Sequence, residues 1–77
     1  MNAKRRKMIE KLLPQIEELI DAVDEILEEE QDAMDNTPES LQETDRYALM
    51  EESVDAMETA TDSLREAYDA LEEIVNQ

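Results

Sequence analysis

From Ile9 to Leu27 the apolar residues Ile9, Leu12, Leu13, Ile16, Leu19, Ile20, Val23, Ile26 and Leu27 follow one another at intervals of 3, 1, 3, 3, 1, 3, 3 and 1. This rhythm belongs to a helix of 3.6 residues per turn and fits no strand, whose period is two. In a heptad written a to g, the nine residues fill positions a, d and e. Two apolar positions per heptad make a seam for one partner helix, whereas three make a face that needs more than one neighbour. A second segment keeps the same period. Tyr47, Val54, Thr61, Tyr68 and Val75 fall at a, Met50, Met57, Leu64 and Leu71 at d, and Ser53, Ala60, Ala67 and Ile74 at g. Glycine is absent throughout, and Glu, Leu, Ala, Met and Ile dominate, a composition suited to long helices.

One clear break separates the segments, at Asn36-Thr37-Pro38-Glu39-Ser40. Pro38 disfavours a helical Thr37, and Thr37 is placed to cap a turn with Pro38 as its first residue. Ser40 and Glu43 have capping-box spacing, and Thr44 is a second candidate cap. The sequence therefore predicts one domain over residues 1–77: a helix over about 3–35, a turn over 36–43 holding a short helical stretch at 38–42, and a helix over about 44–76. Pro14 removes one hydrogen bond from the first helix. Because the apolar phase runs straight through it, we expect a kinked but continuous helix.

The expected fold class is all-α, an antiparallel two-helix hairpin that homodimerises into a four-helix bundle. A single core in 77 residues rarely supplies more than about 3–5 kcal/mol. Neither cysteine nor histidine is present, so disulfides are excluded and a structural zinc site is disfavoured. Self-association is the remaining stabilising device. Its expected core is Ile9, Leu12, Ile16, Leu19, Val23, Ile26, Met50, Val54, Met57, Leu64, Tyr68 and Leu71.

Charge is divided unevenly. Lys4, Arg5, Arg6, Lys7 and Lys11 hold five of seven basic residues, while residues 12–77 set Arg46 and Arg65 against 22 acids. A body of this sign repels nucleic-acid phosphates and anionic lipids. No direct nucleic-acid binding is expected, and a protein with a basic surface is the favoured partner. In an antiparallel hairpin the basic cluster lies beside Glu66, Asp69, Glu72 and Glu73, where pairing would neutralise it. No apolar run approaches a membrane span, and the basic start lacks an apolar signal core. A cytoplasmic location is expected, with no membrane association.

Enzyme activity is not expected, and no catalytic, cofactor-binding or metal-binding residues are assigned. There is no His, Cys or glycine loop, and carboxylate pairs at helical spacing are inevitable among 23 acids. Asp32 to Glu43 has the length of a calcium loop, but Met34 and Thr37 stand where it needs an oxygen ligand and a glycine. The five methionines read as core fillers at Met50 and Met57.

The most specific chemical feature is a set of acidic rows. Glu52, Asp55, Asp62, Glu66, Asp69 and Glu73 occupy b and f of the second helix, with Thr59 in the one gap. Glu17, Asp21, Asp24 and Glu28 repeat the spacing in the first. Successive carboxylates lie about 5 Å apart along the axis. Such rows can imitate the phosphates of a nucleic-acid strand, or simply solvate the protein.

Asp35-Asn36-Thr37-Pro38-Glu39-Ser40-Leu41-Gln42, preceded by Glu29-Glu30-Gln31-Asp32-Ala33, resembles a motif of small phage and prophage proteins. Those carry a hydrophobic residue and then Pro-Glu-Ser-Leu-Gln between two acidic helices. Here Thr37 replaces the apolar residue, and Tyr47 departs from a small one. The resemblance implies a phage-borne accessory protein in the host cytoplasm, of a kind that often inhibits host defence. The leading expectation is a non-enzymatic interaction protein that binds a host defence or nucleic-acid-handling factor through Glu52, Asp55, Asp62, Glu66, Asp69, Glu17, Asp21, Asp24 and Glu28. Two alternatives are a scaffolding bundle and an oligomeric sponge holding a small phosphate ligand on the basic N-terminus. A rival contact surface is the hairpin tip, with Met34, Pro38 and Leu41.

Overall fold

A computed structural model describes all 77 residues. Helices α1 (Ala3–Glu10), α2 (Leu13–Asp35) and α3 (Asp45–Val75) account for most of the chain, with a 3-10 turn at Glu39–Leu41 and no strand. Helix α3 runs back along α2 and contacts α1 as well. The result is a rod 59 × 14 × 13 Å, only two helices thick over most of its length.

The first helix bends where the sequence predicts, but the bend breaks it. Lys11 and Leu12 separate α1 from α2, and the Leu12 amide reaches back only three residues, to the Ile9 carbonyl. Pro14 takes the second position of α2, where a missing N–H costs little. The Gln15 side chain then donates to the Lys11 carbonyl. The expected continuous helix is thus two helices meeting at a bend, because proline is better accommodated in a first turn than in a helix interior.

The hairpin turn also corrects two capping expectations. The Thr37 hydroxyl donates backward to the Ala33 carbonyl at 2.8 Å, closing the end of α2 rather than opening the next turn. Ser40 lies inside the 3-10 turn, so it does not begin a capping box with Glu43. Thr44 is the working cap: it is extended, and its hydroxyl accepts from the Tyr47 amide at 3.3 Å. Loss of such a cap costs about 1 kcal/mol.

The seam between α2 and α3 uses rows a and e of α2 and rows a and d of α3. Leu13, Ile16, Ile20, Val23, Leu27 and Met34 are buried or half-buried, as are Val54, Met57, Thr61, Leu64, Tyr68 and Leu71. Only Leu13, Ile20, Val54 and Thr61 are buried, so the core is a single line of side chains. Thr61 is the most deeply buried, at 2% exposed, and its hydroxyl donates to the Glu58 carbonyl, which leaves no orphaned polar atom.

The two ion pairs both belong to Arg65, with Asp24 at 2.9 Å and Asp62 at 3.5 Å. With a net charge of −16, most carboxylates therefore face other carboxylates or water. Raising ionic strength from about 0.01 M to about 0.15 M shortens the screening length from about 30 to about 8 Å. The melting temperature is expected to rise over that range. A fall, followed by circular dichroism, would mean that attraction outweighs repulsion.

Candidate functional surfaces

The two sides of the rod flanking the seam differ in chemistry. On one side, row b of α2 meets row e of α3. Gln31 donates to Glu58 at 3.4 Å, and Arg65 donates to Asp24 at 2.9 Å. Farther along, Glu17 of the same row is the neighbour that acts most strongly on the Tyr68 phenol. These contacts form a polar edge with a repeat of seven residues on α2.

The interaction with Glu17, with some desolvation and the charges of Glu72 and Asp69, raises the Tyr68 pKa above 10.0. Raised in the folded state, the group adds stability that is complete below the unfolded value near 10 and is lost as pH rises through the folded value. Wild type should lose melting temperature above about pH 10, where unfolded tyrosine ionises, more steeply than Tyr68→Phe does. Equal slopes for the two proteins would exclude Tyr68 as the cause.

The opposite side follows from 100° per residue. Row d of α2 stands there beside row g of α3, with row g of α2 and row c of α3 outside them. Arg46 opens row g of α3, and Arg5 of α1 continues row d beyond Leu12, so an arginine stands at each end of this side. Between them lie sixteen positions, Leu12, Leu19, Ile26, Ala33, Met8, Gln15, Ala22 and Glu29 from the first half, and Leu49, Ser53, Ala56, Ala60, Ser63, Ala67, Ala70 and Ile74 from the second. Glu29 is the one charge among them, in a chain with 30 charged residues. All but the half-buried Ile74 are exposed: Leu12 is 44%, Leu19 54% and Ile26 55% accessible. Of the expected oligomer core, Ile16, Val23, Val54, Met57, Leu64, Tyr68 and Leu71 are occupied within one chain, Ile9 and Met50 are half-buried, and Leu12, Leu19 and Ile26 remain uncovered. Leu13 and Ile20, which lie at e and were not assigned to that core, are instead among the most buried residues.

The acidic rows lie on the remaining outward faces. Glu52, Asp55, Asp62, Glu66, Asp69, Glu17, Asp21 and Glu28 are exposed and Asp24 is half-buried. Two of them are partly engaged, Asp24 and Asp62 by Arg65. Arg65 at e is the residue that reading by hydrophobic rows missed; its opposite charge in an acidic row was the available signal.

The basic cluster does not make the neutralising contacts expected of it. Although α1 reaches α3, none of Lys4, Arg5, Arg6, Lys7 or Lys11 forms an ion pair with Glu66, Asp69, Glu72 or Glu73. At the other end, Ala33, Thr37, Pro38, Leu41, Arg46, Tyr47 and Met50 help line an open cleft of about 450 Å³. Met34 faces a separate, acidic hollow with Glu28, Asp32 and Asp35, so the proposed tip surface is divided. No group of three or more acidic side chains converges with a spacing suited to a metal ion. No helix is long and apolar enough to cross a membrane.

Comparison with protein-family models, with curated proteins and with solved structures gives no match.

Proposed function

We propose that this chain is a non-enzymatic interaction protein that works as a homodimer, closed through its uncharged side and presenting its acidic rows to a basic surface on another protein. The observation that carries the reading is the segregation of charge, with one acid among sixteen positions on one side and acidic rows on the outward faces. A merely solubilising distribution has no reason to spare one side.

Surface area supports the dimer. A compact monomer of 8.9 kDa exposes about 4,800 Å² by the general scaling. This chain exposes 5941 Å², an excess of about 1,100 Å². That excess is comparable to the roughly 800 Å² each partner contributes to a standard interface. Leu12, Leu19 and Ile26 are already about half covered, so covering the rest would contribute about half of the roughly 1.5–3 kcal/mol that full burial of such a side chain provides.

A protein that handles nucleic acid is the natural owner of the basic partner surface, because carboxylates about 5 Å apart along a helix approximate a phosphate row. Inhibition of a host defence factor by a phage-borne protein remains the biological setting suggested by the turn motif Pro38-Glu39-Ser40-Leu41-Gln42 alone. Affinity capture with wild type, compared with a variant carrying lysine at positions 55, 62 and 69, tests the acidic rows. The reading requires a partner retained by wild type at low salt, held less tightly as salt rises and lost by the variant. A partner retained equally by both would place the contact elsewhere.

A further inference from the structure

The rod is electrically polar along its length. Residues 28–52, which form the tip half, carry ten carboxylates against Arg46 alone. At the other end, residues 1–14 and 64–77 together carry six cations against five acids. The five cations of the N-terminal segment have no ion-pair partner within the chain. Two copies can cover each other's uncharged side in two ways. With both tips at the same end, two strongly negative halves lie side by side. With the second copy inverted, each negative tip lies over a nearly neutral end whose cations are free.

The helix surfaces allow the inverted arrangement. In it, α2 crosses α2 of the partner and α3 crosses α3, so Leu19 and Ile26 lie close to the two-fold axis. The small residues of α3, Ala60, Ser63 and Ala67, then meet one another and permit close approach. Sterically, large rows on small rows would serve the same-end arrangement as well. Charge therefore decides, since like charges directly opposed across an interface are strongly disfavoured.

We propose that the second copy docks on the uncharged side in the inverted orientation, with the free cations of α1 lying over the acidic hairpin tip of its partner. This deepens the dimer reading and rests on it. The occupant is a second copy because this chain supplies both halves of the complement: an uncovered apolar row with excess area, and unpaired cations matched to an equally unpaired acidic end.

The chain contains no cysteine, so a single nitroxide label is easily placed. At Ser40→Cys, in the exposed tip, the inverted dimer separates the two labels by most of the 59 Å length, about 50 Å. Pulsed dipolar spectroscopy should report that distance. A distance below about 25 Å, a little over two helix diameters, overturns the orientation while leaving the dimer intact. Mixing chains labelled at Ala3→Cys with chains labelled at Ser40→Cys should add a short distance, and its absence in a dimeric sample counts equally against the proposal. Replacing Lys4, Arg5 and Lys7 together by Glu should weaken dimerisation at least tenfold at low salt; unchanged dimerisation overturns the role of the cations. A folded chain that sediments as a monomer overturns the dimer reading itself.

Discussion

Ile20→Asp is expected to unfold the protein, whereas its neighbour Leu19→Asp should leave a folded monomer. Ile20 is 9% exposed in a core one side chain wide, while Leu19 is 54% exposed on the uncovered row. Removing a buried Ile side chain alone costs about 2–5 kcal/mol, and an unpaired carboxylate in its place adds to that. Against a total that rarely exceeds about 3–5 kcal/mol in a chain this small, the loss is fatal. At Leu19 the new carboxylate is solvated in the single chain and becomes costly only when a second copy covers it. Circular dichroism and sedimentation, done together, separate the two outcomes. Helicity should collapse in the first variant and persist at monomer mass in the second. If both variants unfold at high protein dilution, row d contributes to the fold of the single chain.

Reversal of Asp55, Asp62 and Asp69 to Lys should abolish binding to a basic partner while leaving helicity unchanged. The three residues are exposed and form one row, remote from the seam and from the uncharged side. Each reversal adds two units of charge, taking the chain from −16 to −10. More telling is the local change, since three attractive contacts become repulsive on the same face. A loss of at least about 100-fold in affinity is expected, equivalent to about 2.8 kcal/mol. Only the exposed Asp62–Arg65 pair at 3.5 Å is sacrificed within the fold, and such pairs contribute little. Wild-type binding should weaken steeply between low and physiological salt. Unchanged affinity in the triple variant, measured by titration calorimetry, would reduce the acidic row to a solubilising surface. Sensitivity to Leu41→Asp instead would move the contact to the tip.

Much of the architecture is legible in the sequence because both helices carry their apolar residues in register. What the rows a, d and e of the first helix do not reveal is which pair of rows its neighbour takes. The structure gives rows a and e to α3, with Leu13 and Ile20 at the centre, and leaves row d outside. The polar edge that accompanies this choice, where Asp24 meets Arg65 and Gln31 meets Glu58, joins residues 41 and 27 apart in sequence, which no local periodicity reports. Local signals were misread for a related reason. Thr37 has a hydroxyl able to serve either the helix before it or the turn after it, and only the backbone path selects Ala33. Pro14 offered a kink or a break, decided by whether it sits in a helix interior or in a first turn. For function, the acidic rows were visible as a periodicity. The uncharged side was not, because its small residues at c and g lack hydrophobic weight and show themselves only when set beside Leu12, Leu19 and Ile26.

Sedimentation equilibrium of the wild-type chain at micromolar concentration tests the central claim, that the uncharged side is covered by a second copy. The predicted mass is twice the 8.9 kDa of the chain, returning to the single-chain value in Leu19→Asp. A cooperative, stably folded wild-type protein that sediments at the single-chain mass would contradict it.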